Sequence, residues 1–425
     1  MKQTIIRNGR LIDPTHGTDT KADLYLADGK IVGVGAAPTG FHAEQEIDAA
    51  GLIVAPGLVD LAARLREPGF EYKATLPSEM AAAVAGGVTS IVCPPDTDPP
   101  LDEPGLVTML RQRAKAHDLA RLYPVGALTV GLKGKEITEM AQLREAGCVA
   151  FSQGDVPIAD LQVLYRAMQY AATFGFELRL RPEEASLVND GVAHDGEYAS
   201  RLGLTGIPVI AETLAIAQIV QLMRATGCRV HIARLSSAAG IELVRTAKRE
   251  GLPLTCDVDI NHIHLADVDI GYFDSHYRFD PPLRSVRDRN AIAAALADGT
   301  IDAICSDHSP MDDDSKLLPF AEAEPGATGL ELLLPLTLAW AERSGVALPA
   351  ALAKISSVPA QKLGFEAALT VGSRADLVLF DPDATWQVTP QTLKSQGKNT
   401  PFSGMEVKGQ ARFTFVKGKL VYQAA

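Results

Sequence analysis

The feature that most constrains this chain is a succession of eight apolar, strand-like runs separated by stretches of helical period. GLVDLAA, VTSIVCPP, RLYPVGAL, CVAFSQ, FELRLR, RVHIARLS, PLTCDV and DAICSDH follow one another between Gly57 and His308. Between several of them lie segments with apolar residues at helical spacing, such as LPSEMAAAVAGG, AETLAIAQIVQLMRATG and SAAGIELVRTAKREG. Eight strands with intervening helices predict an α/β fold, a parallel (β/α)8 TIM barrel rather than an open doubly wound sheet. In a barrel of this kind chemistry belongs at the C-terminal ends of the strands.

The two ends of the chain read differently. TIIRNGRLID, ADLYLADGKIVGVG and GLIVAPG carry β-branched residues at period two, with Asn8-Gly9 and Asp28-Gly29 as hairpin turns. From about Leu369 the style returns in RADLVLFDP and MEVKGQARFTFVKGKLVY, with Lys417-Gly418. The expected organisation is a small β-sandwich built from residues 1–56 and 366–425, flanking a barrel over 57–365.

The chain has 425 residues, 47% of them hydrophobic, enough for a barrel and a smaller domain. A net charge of -12 argues against nucleic acid, whose phosphates call for a basic face. Cys93, Cys148, Cys228, Cys256 and Cys305 stand singly, as expected of reduced, buried thiols in a cytosol. The N-terminus reads as strand and turn without an apolar leader, and no run approaches about 18 uninterrupted apolar residues. The expectation is a soluble cytoplasmic protein with no membrane partner.

Pro56-Gly57-Leu58-Val59-Asp60 followed by Arg66-Glu67-Pro68-Gly69 resembles the opening signature of dihydroorotases, in the amidohydrolase superfamily. The resemblance continues in order. Ala85-Gly86-Gly87-Val88-Thr89 with Cys93-Pro94-Pro95-Asp96-Thr97 is similar to AGG-T-T…MPNT, and Val149-Ala150-Phe151-Ser152 to VAFSDDG. Ala199-Ser200-Arg201-Leu202-Gly203 resembles ARLG, Val230-His231-Ile232-Ala233 resembles VHIAH, and Asp280-Pro281-Pro282-Leu283-Arg284 resembles NPPLR. Asp302 to His308, Gly329-Leu330-Glu331 and Lys398-Asn399-Thr400-Pro401-Phe402 complete the series. The resemblance implies a barrel with a β-sandwich made by both termini and a site for a binuclear metal centre.

At the positions where the resemblance places metal ligands, the chain departs from the family. The D-x-H-x-H histidines fall at Ala62 and Arg64, the next ligand histidine at Arg181, and the last histidine of VHIAH at Arg234. The bridging carboxylate falls at Gln153, with Asp155 two residues on as a possible substitute. Alanine has no donor atom and a guanidinium offers only N–H groups, so neither can ligate. Asp307, in the family a ligand and general base, is retained beside His308 as a vestige. Arg66, which in the family grips the substrate carboxylate, is also retained. Asp96 and Asp280 replace asparagines of the substrate pocket, where they would repel an anionic ring.

Three buried guanidiniums need acids. Asp307, Glu183, Asp257 and Asp96 are the expected partners, with Asp307 an important counter-charge, and Arg66 is expected to persist only to pair with such acids. His231, His262 and His264 are read as satisfied core or loop histidines, and Asp312-Asp313-Asp314 as a solvated acidic loop. No cofactor and no metal is expected. The pattern is similar to the dihydroorotase-like, non-catalytic chain of aspartate carbamoyltransferase. That likeness implies the transcarbamoylase catalytic chain as partner, a hetero-oligomer with self-association, and a scaffolding role in pyrimidine biosynthesis. The alternative is an active cyclic amidohydrolase with an atypical mononuclear or metal-free site near Asp307 and His308. A third reading is a module that senses a pyrimidine intermediate through Arg66.

Overall fold

The computed structural model describes residues 3–424, so the extreme ends of the two sandwich segments (residues 1, 2 and 425) lie outside it. Eight parallel strands form one sheet in sequence order: β1 (Leu58–Asp60), β2 (Val88–Cys93), β3 (Arg121–Ala127), β4 (Ala150–Ser152), β5 (Glu177–Leu180), β6 (Arg229–Ile232), β7 (Leu254–Asp259) and β8 (Ala303–Cys305). All eight coincide with the apolar runs of the sequence. The sheet curls until its ends meet beyond β1 and β8. There Ala63 bridges His308 in parallel, Arg64 N donates to His308 O at 2.8 Å, and Ser306 N donates to Asp60 Oδ1 at 2.9 Å. Burial in this seam pushes the Asp60 carboxyl up to about 6, against the hydrogen bonds from Ser306. Leu61, Val92, Val125, Ala150, Ala303 and Cys305 form one buried cluster along the strands.

The helices pack around this sheet. Helix Leu76–Ala85 starts at Thr75, whose hydroxyl accepts from Ser78 N in a capping box, and Pro77 lies in its first turn. It ends at Gly86-Gly87, where Gly87 adopts φ +82° and a side chain on either glycine would collide with Leu330 or Val378. The pair makes the helix-to-strand turn into β2. Helix Val209–Thr226 is long and apolar enough to cross a membrane by length and composition alone. Its Ala211, Ala215, Ile216, Ile219 and Met223 are buried, and its Glu212 accepts from Ser236 and Ser237, which makes it part of the barrel shell.

Strands from both ends of the chain share a six-stranded sheet. Its order is Lys419–Gln423, Glu406–Val416, Leu377–Gln387, Ile53–Pro56, Arg10–Asp13 and Thr18–Lys21. A second sheet of four strands, Lys30–Val34, Leu24–Ala27, Thr4–Arg7 and Gln45–Asp48, lies against it. Ile6, Leu11, Leu24, Val54, Leu377 and Phe415 are buried between them. Pro56 pairs with Leu377 and the chain enters β1 two residues later, so the sandwich is joined directly to the barrel wall.

Candidate functional site

Arg181 continues the inward parity of Glu177 and Arg179 on β5, whereas Arg64 and Arg234 lie past the ends of β1 and β6, Arg234 at a left-handed φ of 57°; the three meet at the C-terminal mouth of the barrel. All three are almost fully buried, with side chains 9, 5 and 6% exposed. Arg64 Nε donates to Asp96 Oδ2 at 2.7 Å, Nη2 to Asp155 Oδ2 at 2.5 Å, and Nη1 to Asp307 Oδ1 and Ser309 Oγ, each at 3.0 Å. Arg234 donates to both oxygens of Asp307 at 3.2 Å and to Asp155 Oδ1. Arg181 donates to Asp280 Oδ2 at 2.8 Å and, through Nη2, to Asp280 Oδ1 and Glu183. Three guanidiniums thus face five carboxylates. Each cation is satisfied by bidentate or branched ion pairing, which is the geometry that makes a buried guanidinium tolerable.

Asp155 is the hub. Its two oxygens take one arginine each, and its main-chain carbonyl accepts from Arg181 Nη1 at 3.2 Å. Burial acts to raise its carboxyl, but the charges of Arg234, Arg64 and Arg181 outweigh that and hold it well below the ordinary range. Asp307 behaves in the opposite way. It is 5% exposed, and burial, with Asp259 and Asp155 nearby, pushes its carboxyl up in spite of Arg234 and Arg64. Burial likewise pushes Glu183 up to about 7, although Arg181 touches it. Asp307 is thus a counter-charge to Arg64 and Arg234, as expected of it, and Asp155 is a second that bridges the same two arginines and also reaches Arg181 through its carbonyl.

Several expectations are corrected. Asp257 accepts from His231 Nε2 at 3.0 Å and from the main-chain N of Arg234 at 2.7 Å, so it holds backbone and histidine rather than a guanidinium. Arg66 meets no carboxylate: its Nε donates to Pro310 O at 2.9 Å and Nη2 lies 3.4 Å from Met311 Sδ. Burial, with Arg64 beside it, lowers its pKa. Asp96 pairs with Arg64, as expected of it, while Asp280, which was not among the expected partners, is a counter-ion to Arg181. Gln153 is turned away, accepting from Thr129 Oγ1 at 2.8 Å and donating to Leu132 O at 2.7 Å. His308 is turned away too. Its Nδ1 accepts from Gly329 N at 3.1 Å, which leaves Nε2 to donate to Glu79 Oε2 at 2.6 Å. Neither ring nitrogen is free for a ligand beside Asp307.

His231, His262 and His264 all have protein partners: Thr255 and Asp257, Asp259 and Pro282 O, and Leu336 O, respectively. Asp312 precedes, and Asp313-Asp314 open, a short helix whose Ser315 and Lys316 are buried. Sequence reasoning missed Arg179, which lies one strand period before Arg181 and donates to Glu177 at 3.2 Å deeper in the barrel. The i, i+2 spacing could have found it. It also missed Asn399, which donates to Ser309 O and Gly326 O and accepts from Met311 N, clamping the loop after β8.

The backbone is strained where the site is built. Arg66, Arg234 and Asp307 adopt φ of 63°, 57° and 45°, a left-handed conformation that costs a non-glycine residue about 1–3 kcal/mol. Hydrogen bonds such as Arg234 N to Asp257 hold it. What space remains among Ala62, Arg64, Arg234 and Asp307 is a cavity of about 40 Å³. That volume accommodates a water or two, whereas pockets for small-molecule ligands span about 300–1,000 Å³.

A binuclear cation centre does not fit these residues. Ala62 contributes no donor, the three arginines contribute positive charge, and the lone pairs of Asp155 and Asp307 already receive guanidinium N–H groups.

The family model of dihydro-orotase-like proteins matches residues 51–239. A dihydroorotase-like protein of Pseudomonas aeruginosa is 45% identical over 98% of this chain and 99% of its own length. The chain belongs to the dihydroorotase-like family. Its fold is accordingly the amidohydrolase barrel: L-hydantoinase (dihydropyrimidinase) from Arthrobacter aurescens superposes with a TM-score of 0.86 at 26% identity, covering 100% of this chain and 96% of that one. A dihydroorotase of Geobacter sp. is 40% identical over 99% of both chains.

Proposed function

We propose that this chain is a non-catalytic, cytoplasmic dihydroorotase-like subunit that scaffolds or stabilises the catalytic chain of aspartate carbamoyltransferase in pyrimidine biosynthesis. The observation that carries the reading is the ion-paired cluster of Arg64, Arg181 and Arg234 around Asp155. It fills the barrel mouth with fixed charge, in place of a ligand-sized pocket and an open cation site. A chain that retains the family's fold while occupying its mouth in this way is maintained by its contacts. The nature of the partner comes from the family resemblance.

The second reading, an active cyclic amidohydrolase with an atypical site, draws on the relatives named dihydroorotase and on retained Asp307. The two separate in one preparation of the native protein. The scaffold reading expects stoichiometric co-purification of the transcarbamoylase, no stoichiometric zinc, and no turnover of dihydroorotate by the isolated chain. Chelator-sensitive turnover by that chain would overturn it.

A further inference from the structure

The loops that follow β7 and β8 form a raised rim beside the barrel mouth. Segments 265–277 and 311–324 share an apolar cluster through Ile270, Tyr277 and Phe320, and are tied where Ser275 Oγ donates to Lys316 O and Lys316 Nζ returns a bond to Ser275 O at 3.1 Å. Lys316 Nζ also donates to Glu324 O at 2.6 Å, so its charge is consumed inside the rim. Above this tie stand large apolar side chains with nothing over them. Tyr272 is 91% exposed and Leu317 81%, with Phe273 and Leu318 partly exposed beside them. The Tyr272 ring lies edge-on to Phe273, 5.4 Å between centroids. Phe273 itself has φ 61°, an outlier for a bulky residue.

The rim is acidic. Asp274, Asp313, Asp314 and Glu322 are exposed on it, while the basic residues of both segments are His276 and the buried Lys316. Exposed tyrosine and leucine inside a ring of charge have the composition of an interface centre with a polar rim. The sign of the rim selects the occupant. A second copy packed about a two-fold axis would set carboxylates against carboxylates, and an anionic lipid surface would be repelled in the same way.

We propose that this rim docks a different protein, one that presents an apolar pocket edged by lysine and arginine. Resting on the function proposed above, that protein is the transcarbamoylase catalytic chain.

The test is titration of the full-length chain with the catalytic chain of aspartate carbamoyltransferase from the same organism, read by calorimetry at two salt concentrations. Tyr272→Ala and Leu317→Ala should each weaken binding by about tenfold or more, with melting unchanged because both side chains stand outside the core. The double reversal Asp313→Lys, Asp314→Lys should weaken binding and reduce its salt dependence. Val371→Ala, at an apolar site 65% exposed and away from the rim, should bind as wild type. If wild type binds and every rim variant stays within about twofold of it, the docking site is elsewhere and only this inference falls. If wild type forms no complex, the scaffold reading falls with it. If Tyr272→Ala alters self-association of the chain alone and leaves the complex intact, the rim meets a second copy, which also overturns the proposal.

Discussion

Asp155→Asn removes a single charge from between Arg64 and Arg234 while keeping the side chain's shape. In the wild type each of these guanidiniums spends one nitrogen on it, and Arg181 binds the same residue's carbonyl. Breaking a buried ion pair costs about 3–5 kcal/mol because the partner charge is left uncompensated. Two facts lower the figure here. About a third of the Asp155 side chain is accessible (34%), so solvent screens part of the loss, and Asp96 and Asp307 still serve the two arginines. The expected cost is about 2–3 kcal/mol, a fall in melting temperature of roughly 4–6 °C at about 2 °C per kcal/mol. The pH dependence has a definite sign. The folded-state carboxyl is depressed from 3.8, so its contribution is fully present above about pH 4 and is lost as pH falls further. Thermal melts at pH 7 and at pH 3.5 should therefore show a wide gap between wild type and variant at the first and a narrower one at the second. Combining Asp155→Asn with Arg234→Met should cost about 1–2 kcal/mol less than the sum of the singles. A variant melting within 1 °C of wild type at pH 7, with additive doubles, would mean that Asp155 is only an incidental neighbour of the arginines (the 1 °C being about half a kcal/mol).

Other perturbations follow from the same geometry. Glu183 is raised from 4.5 to about 7, so stability should decline between those pH values as it ionises; Glu183→Gln should flatten that decline, and parallel pH profiles for variant and wild type would refute the assignment. Arg66→Met removes a buried cation that has no acid partner, and should leave urea stability within about 1 kcal/mol of wild type or raise it, whereas Arg64→Met should cost about 3 kcal/mol; equal losses would show that Arg66 is as well compensated as Arg64. Asp307→Asn should cost less than Asp155→Asn, since burial already disfavours the Asp307 charge; a larger loss would make Asp307 the principal counter-ion. Histidines written back as Ala62→His with Arg64→His should yield neither stoichiometric zinc by elemental analysis nor metal-dependent turnover of dihydroorotate, because Arg181 and Arg234 keep their charge; bound zinc in that variant would show the mouth to be closer to a cation site than its donors imply.

The eight strands were legible because strand and helix periods are local, and every apolar run named from the sequence became a barrel strand. The convergence of Arg64, Arg181 and Arg234 was legible too, since each sits at the end of a strand and barrel closure carries strand ends to one mouth. Which acid would meet which arginine was not. Asp155 lies on the irregular segment after β4, where no period dictates where a side chain points, and only the folded loop swings it between Arg64 and Arg234. His308 and Gln153 keep suggestive positions in the chain, yet their rotations are fixed by Glu79, Gly329, Thr129 and Leu132, residues from other elements. The rim joins the segments of Tyr272 and Leu317 through the Ser275–Lys316 tie and the packing of Ile270 on Phe320, which neither segment announces by itself. The sequence alone determined the barrel, the sandwich strands and the set of charges at the mouth, because backbone periodicity and turn chemistry act between near neighbours. The pairing of those charges was decided only by tertiary structure, because Coulomb energy and desolvation depend on distances between loops that meet only when the barrel closes.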